Sequence, residues 1–174
     1  LCASDEEEAA HEAVLADMQA DVAASNATDA AYTAMDNSSF YSVTLKNFAA
    51  PWTNRDQSIF VPLNDYTATV IGMVRDDVPF NTLLSANLVY VGTGGGIPAY
   101  SPTSNDHYQT LEDQNADLKA RLTASSQTAV SGLPDSATAG VITTRAAAEA
   151  FFVAGTNRAM FRFTLLNHLC RDME

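Results

Sequence analysis

The sequence predicts an all-α chain, mainly helical, built as an irregular bundle with long loops and at most a minor β-hairpin. Three observations carry that expectation. Apolar residues recur at helical spacing towards both ends of the chain. Capping residues stand in front of those stretches. The β-prone run Leu88-Val89-Tyr90-Val91 is too short, and too obviously lacking a partner, to found a sheet. A chain of 174 residues buries roughly 70% of the surface it exposes when unfolded, so one core suffices. The expected organisation is a single helical domain over 1–174. Within it 1–36 forms an N-terminal helical arm, 92–106 a long loop and 140–174 a C-terminal core helix pair.

Taken in order, Ser4 with Glu7 has capping-box spacing, and Ala10, Val14, Leu15, Met18 and Val22 follow at helical intervals, which predicts a helix over 5–24. Ser25 to Asp29 reads as a stop and a new cap for a short helix ending at Met35. Phe40 to Phe48 fits a short strand or a helical turn, closed by Pro51 and Trp52. Thr53 and Asp56 cap a further helix that Pro62 interrupts. Asn64 restarts it, with Tyr66, Val70, Ile71, Met73 and Val74 as its apolar stripe. Pro79 suits the first turn of a short helix with Phe80, Leu83 and Leu84 facing inward. Ser104 or Asn105 caps a polar helix running to about Thr123, and the Ser-, Thr- and Gly-rich stretch 124–139 is a surface connection. Thr143 or Thr144 caps a helix through Val153. Thr156 or Asn157 opens the last one, whose face of Ala159, Phe163, Leu166 and Cys170, widened by Met160, Leu165 and Leu169, makes it central to the core.

Charge excludes whole classes of partner. With 21 acidic against 9 basic residues the net charge is −12, which repels nucleic-acid phosphates and anionic membranes. No apolar run is long enough to span a bilayer, so the expectation is a water-soluble protein. Its acidity serves solubility in a salty or extracellular medium, or forms a docking face for a basic partner.

Two cysteines stand far apart, Cys2 and Cys170. In an oxidising, exported setting they can pair, closing nearly the whole chain into one loop. The opening Leu1-Cys2-Ala3-Ser4 before an acidic run also looks like a processed lipoprotein start, which would make Cys2 a lipid anchor; Leu1 ahead of the cysteine weighs against it. The disulfide is the favoured reading, and any export signal has been removed.

No motif carries chemistry. Gly92 to Gly96 lacks the lysine of a phosphate loop and the following helix of a dinucleotide site. His11, His107 and His168 fall in no zinc-ligand spacing. There is no serine elbow, and the acidic pairs Asp76-Asp77 and Glu112-Asp113 sit at helix ends or on polar faces. A hydrolase built on scattered carboxylates stays open, because such pairs are spatial rather than sequential. The least bland cluster is Tyr100, His107 and Tyr108 beside the long loop, a candidate lining for a small ligand. A Cys-x-x-Cys-His haem attachment is absent, leaving His168 and Met173, with Met160 behind them, as weak axial-ligand candidates for a haem carried elsewhere.

Two stretches resemble a known group. Leu63-Asn64-Asp65-Tyr66 through Val74-Arg75-Asp76-Asp77-Val78-Pro79-Phe80 to Leu83-Leu84-Ser85-Ala86-Asn87 is one. Ala139-Gly140-Val141-Ile142-Thr143-Thr144 with Asn157-Arg158 and Leu169-Cys170 is the other. Together they resemble the helical domains of uncharacterised function that accompany c-type cytochrome domains in exported, planctomycete-type bacterial proteins. The match covers about a third of the chain. It implies structural positions only, at Pro79, Gly140, Arg158 and Cys170. In that group a haem site commonly lies beyond the cysteine matched by Cys170, so the resemblance implies no cofactor within this chain and haem c in a partner or a missing C-terminal part. The resulting expectation is a non-catalytic structural or interaction module, exported to a periplasmic or extracellular setting. Its partner would be a protein, either a c-type cytochrome or a second copy. A small-ligand-binding module at 92–108 is the first alternative, a hydrolase the second.

Overall fold

The computed structural model describes residues 5–155 and 158–173. The chain is mainly α-helical with one small antiparallel ladder, and it divides into two compact units, Leu1–Phe40 and Tyr41–Glu174. The 1–36 stretch falls in the first of these units, which extends to Phe40.

The first unit is a helical hairpin. Helix α1 spans Asp5–Ala23 and α2 Ala27–Met35. Between them Ser25 adopts a left-handed φ of 67°. The Ser25 N–H bonds the Val22 carbonyl and the Asn26 N–H the Asp21 carbonyl, a Schellman closure that satisfies the last carbonyls of α1. Among the described residues of this unit only Ala30 is buried. The apolar positions Val14, Leu15, Val22 and Tyr32 are 42%, 54%, 58% and 64% exposed.

The second unit is organised around one buried helix. Phe40–Leu45 forms a wide π-type turn that runs directly into α3, Lys46–Ala49, and a 3-10 turn at Ala50–Thr53. The helix expected after Thr53 does not form; residues 54–64 are irregular, held by Asn54, whose side chain accepts from Ser58 N–H and donates to the Ala50 and Ser58 carbonyls. Helix α4, Asp65–Arg75, is the hub, and every residue from Asp65 to Met73 is buried. Asn64 caps it as the sequence predicts, accepting from Thr67 N–H at 3.0 Å. Asp77, at φ 51°, closes its end through Val78 N–H to the Met73 carbonyl.

Strand β1, Val89–Gly92, pairs antiparallel with β2, Leu122–Ser125, with Val89 opposite Ser125 and Gly92 opposite Leu122. Gly72 on α4 lets the Tyr90 ring lie against the helix; a Cβ there would stand 2.1 Å from that ring. The long polar helix expected up to Thr123 is two pieces, α5 at Asp106–Asp113 and α6 at Leu118–Arg121. Asn115 breaks it, entering the left-handed region at φ 48° while its N–H reaches the Glu112 carbonyl and that of Ala116 the Leu111 carbonyl. Asp117 then caps α6 through Lys119 N–H. Freed from the helix, Leu122–Ser125 supplies the strand partner that the sequence did not reveal.

The stretch 124–139 is more ordered than a bare connection. It contains α7, Gln127–Ser131, capped by Ser126, and a 3-10 turn at Asp135–Ala137. Thr144 caps α8, Arg145–Ala147, which continues as a π-type turn over Ala148–Val153. Helix α9 spans Ala159–Leu169; its expected caps, Thr156 and Asn157, lie outside the described residues. The C-terminal pair is not the core. On α9 only Ala159 and Phe163 are buried, and on the preceding turn only Phe151. The broad apolar stripe of α9 covers the unit from outside, while α4, buried from Asp65 to Met73, lies at its centre.

Candidate functional site

Asp65 opens α4 and is completely buried. Its position follows from the cap: Asn64 fixes the first turn, and the next side chain is directed into the unit rather than to solvent. There Oδ2 accepts from Arg145 N–H at 2.6 Å and from the Tyr100 hydroxyl at 3.1 Å, while Oδ1 accepts from Ala146 N–H and from Tyr66 N–H, both at 3.0 Å. One carboxylate therefore satisfies the open N–H groups of α8 and anchors the long loop. Burial pushes the Asp65 carboxyl up from its ordinary value, while the N–H donors and the Arg145 charge pull it back.

The 63–87 and 139–144 stretches meet here. Besides Asp65 on α8, Val141 N–H bonds the Leu83 carbonyl at 2.9 Å. Gly140, at φ 54°, lies so close that a Cβ would be 1.9 Å from that carbonyl oxygen. A third link joins α4 to α9, where the Tyr66 hydroxyl is 2.7 Å from His168 Nε2. Trp52 packs edge-on against the same imidazole and its carbonyl accepts from Asn167 Nδ2.

The expected ligand cluster of Tyr100, His107 and Tyr108 does come together, with ring centroids 4.7 to 6.4 Å apart. Its polar atoms face inward. Tyr100 serves Asp65, and the Tyr108 hydroxyl donates to the Tyr90 carbonyl at 2.7 Å. His107 Nε2 accepts from Gly92 N–H at 2.8 Å and Nδ1 donates to the Pro98 carbonyl. The three residues fasten the 92–106 loop to β1 and α4, and none of them lines either cleft described here.

The weak haem-ligand candidates do not form a pair. His168 is committed to Tyr66, and burial holds its ring below the ordinary histidine value. Met173 is half-buried beyond the helix end. Cys170 occupies a left-handed position at the end of α9 and is an exposed free thiol, which gives the expected Cys2–Cys170 disulfide no support; Cys2 lies outside the described residues. The acidic pairs have structural partners as well. Asp76 takes both Arg75 and the Tyr90 hydroxyl, and Glu112 takes Lys46 and Leu63 N–H. Among the described residues no three His, Cys, Asp or Glu side chains are grouped to hold a metal ion, and no helix is long and apolar enough to cross a membrane.

What sequence reasoning missed is an open cleft of about 1110 Å³ above Asp65, walled by the 53–56 turn, the 102–105 end of the long loop, α8 and α9. Arg55, Arg145 and Arg162 line it. Arg145 bonds Asn105 Oδ1 at 2.9 Å and pairs with Glu149; Arg162 grips Asp172 through two 2.6 Å bonds; Arg55 donates to the Ala154 carbonyl. These arginines are spread over more than half the second unit's length, so no local spacing could announce them. A second, smaller cleft of about 270 Å³ lies by Lys46, Leu63 and Glu112.

Fold and site together define a mainly α chain with a buried carboxylate brace and an arginine-lined cleft. Compared with protein-family models, with curated proteins and with solved structures, the chain matches none.

Proposed function

We propose that the chain is a non-catalytic structural and interaction module of an exported assembly, and that its partner is a c-type cytochrome domain. The observation that carries the reading is the exposed apolar surface of the N-terminal hairpin. Val14, Leu15, Val22 and Tyr32 stand in solvent on two helices that bury almost nothing among themselves, and large apolar side chains held this way mark surfaces that a partner covers. Within the second unit, Phe161 and Leu169 on α9 are also each 60% exposed. The polar clusters support the same reading, since Asp65, His107, Tyr108 and Glu112 each serve to hold one segment to another. The cytochrome as partner rests on the resemblance of 63–87 and 139–170, and haem c belongs in this reading to the partner.

The test is native purification with an intact mass and a visible absorption spectrum on the same fraction. A haem Soret band co-eluting with the 174-residue chain, and lost when Leu15 and Val22 are both changed to Glu, is the expected result. A monomer without haem absorbance, unchanged by the double substitution, overturns the proposal.

A further inference from the structure

The arginine-lined cleft gathers a third of the chain's basic residues in one place. The protein as a whole has 9 basic against 21 acidic residues; three of the basic ones line this concavity, with Asp56 and Glu149 in its lining and Asp172 on Arg162. Val61, Pro62, Val153 and Phe163 supply apolar wall beside the uncharged polar Thr53, Asn54, Asn64, Thr103 and Asn105. A concavity that sets charged groups beside apolar wall can orient a small molecule, and the volume of about 1110 Å³ is just above the range of roughly 300–1,000 Å³ that such sites span.

The arginines also display how they would hold a ligand. Arg162 receives the Asp172 carboxylate in a two-pronged geometry, Nε to Oδ1 and Nη2 to Oδ2, the arrangement in which a planar guanidinium matches a carboxylate. Both partners of that pair are nearly half exposed, so water and an external anion can compete for it. Arg145 is different: its side chain is 13% exposed and fixed by Asn105, while its carboxylate partner Glu149 is 66% exposed. Arg55, whose described bond goes to the Ala154 carbonyl, makes no ion pair among the described residues.

We infer that this cleft binds a small organic anion, a carboxylate on an apolar body. The head group lies between Arg55 and Arg162, the hydrocarbon part against Val61, Val153 and Phe163, and Asp172 competes with the ligand for the Arg162 fork. The inference does not depend on the cytochrome reading, because it concerns only the second unit.

Calorimetric titration of the whole chain with octanoate at low ionic strength tests it, with acetate and inorganic phosphate as comparison anions. Octanoate should bind saturably at one site, and acetate about tenfold or more weaker for want of the buried chain. Arg162→Gln and Arg55→Gln should each weaken octanoate about tenfold, the loss of one charge-assisted bond. Asp172→Asn, which removes the competitor, should tighten it. Arg145 is left unchanged because it braces the loop. Unaltered thermal melting of each variant shows that the fold is intact. Absence of saturable octanoate binding in both the natural chain and Asp172→Asn overturns the inference. So does binding that ignores both arginine substitutions, or phosphate and acetate binding as tightly as octanoate.

Discussion

The N-terminal hairpin and the unit built on α4 use similar sequence material in opposite ways. Both contain apolar residues at helical spacing, yet α4 buries nine consecutive residues, Asp65 to Met73, while α1 and α2 bury only Ala30 among those described. The difference comes from what surrounds each helix. Helix α4 is wrapped by α3, β1, β2, α6 and α8, and its buried carboxylate, Asp65, is supplied with four donors. The hairpin closes through its own turn and leaves its apolar stripe uncovered. Periodicity thus tells which face of a helix is apolar, and the identity of the surface that covers it comes from elsewhere.

The contrast breaks most severely at Asp65. Replacing it with Ala leaves the Arg145, Ala146 and Tyr66 N–H groups and the Tyr100 hydroxyl without their acceptor, at a cost of about 3–5 kcal/mol. The chain has one tryptophan, Trp52, in the second unit, so urea unfolding followed by its fluorescence reads this loss directly. A midpoint shift equivalent to less than about 1 kcal/mol would mean that the brace is dispensable.

Gly140→Ala comes next. It places a side chain in a left-handed turn and drives its Cβ into the Leu83 carbonyl, for an expected loss of about 2–3 kcal/mol by the same fluorescence assay. Retained stability would show that the 139–144 turn can move away from the Leu83 backbone.

A pH series sharpens the comparison further. Burial lowers the His168 value below 6.5, so the folded state favours the neutral ring. Its contribution is complete above pH 6.5 and is lost as the pH falls through the lower, folded value. The Trp52-monitored midpoint should therefore decline in mild acid, and His168→Gln should flatten that part of the profile. An unchanged slope in the variant would assign the acid sensitivity to other groups.

The smallest effect is expected in the hairpin. Leu15→Glu, on a side chain already 54% exposed, should change stability by no more than about 0.5 kcal/mol, while reducing association in sedimentation. A large loss of helical signal at 222 nm would show that the stripe is needed for the fold itself.

Much of the local structure was legible. The hairpin, the Asn64 cap, the Thr144 cap and the mainly helical class follow from capping chemistry and 3.6-residue periodicity, which act between neighbours. The errors have a common origin. The Ser104–Thr123 helix is split because Asn115 accepts a left-handed turn and Asp117 can start again, both of which are readable only once a β2 strand competes for Leu122–Ser125. The last helix looked central because it is the most apolar, yet its outer residues Phe161 and Leu169 remain exposed. The aromatic loop cluster was correctly grouped, but its polar atoms turn inward, and the arginine cleft is assembled from segments with no sequence relation.

By itself the sequence determined the helical class, the Asn64 and Thr144 caps and the acidic charge, because propensity, capping and net charge are properties of short segments or of composition. Only the tertiary structure decided which helix would be the hub, that Asp65 would reach the start of α8, and that Arg55, Arg145 and Arg162 would share one cleft. Those outcomes depend on which surfaces bury each other, a choice set by long-range packing and by the need to give buried polar groups such as Asp65 their partners.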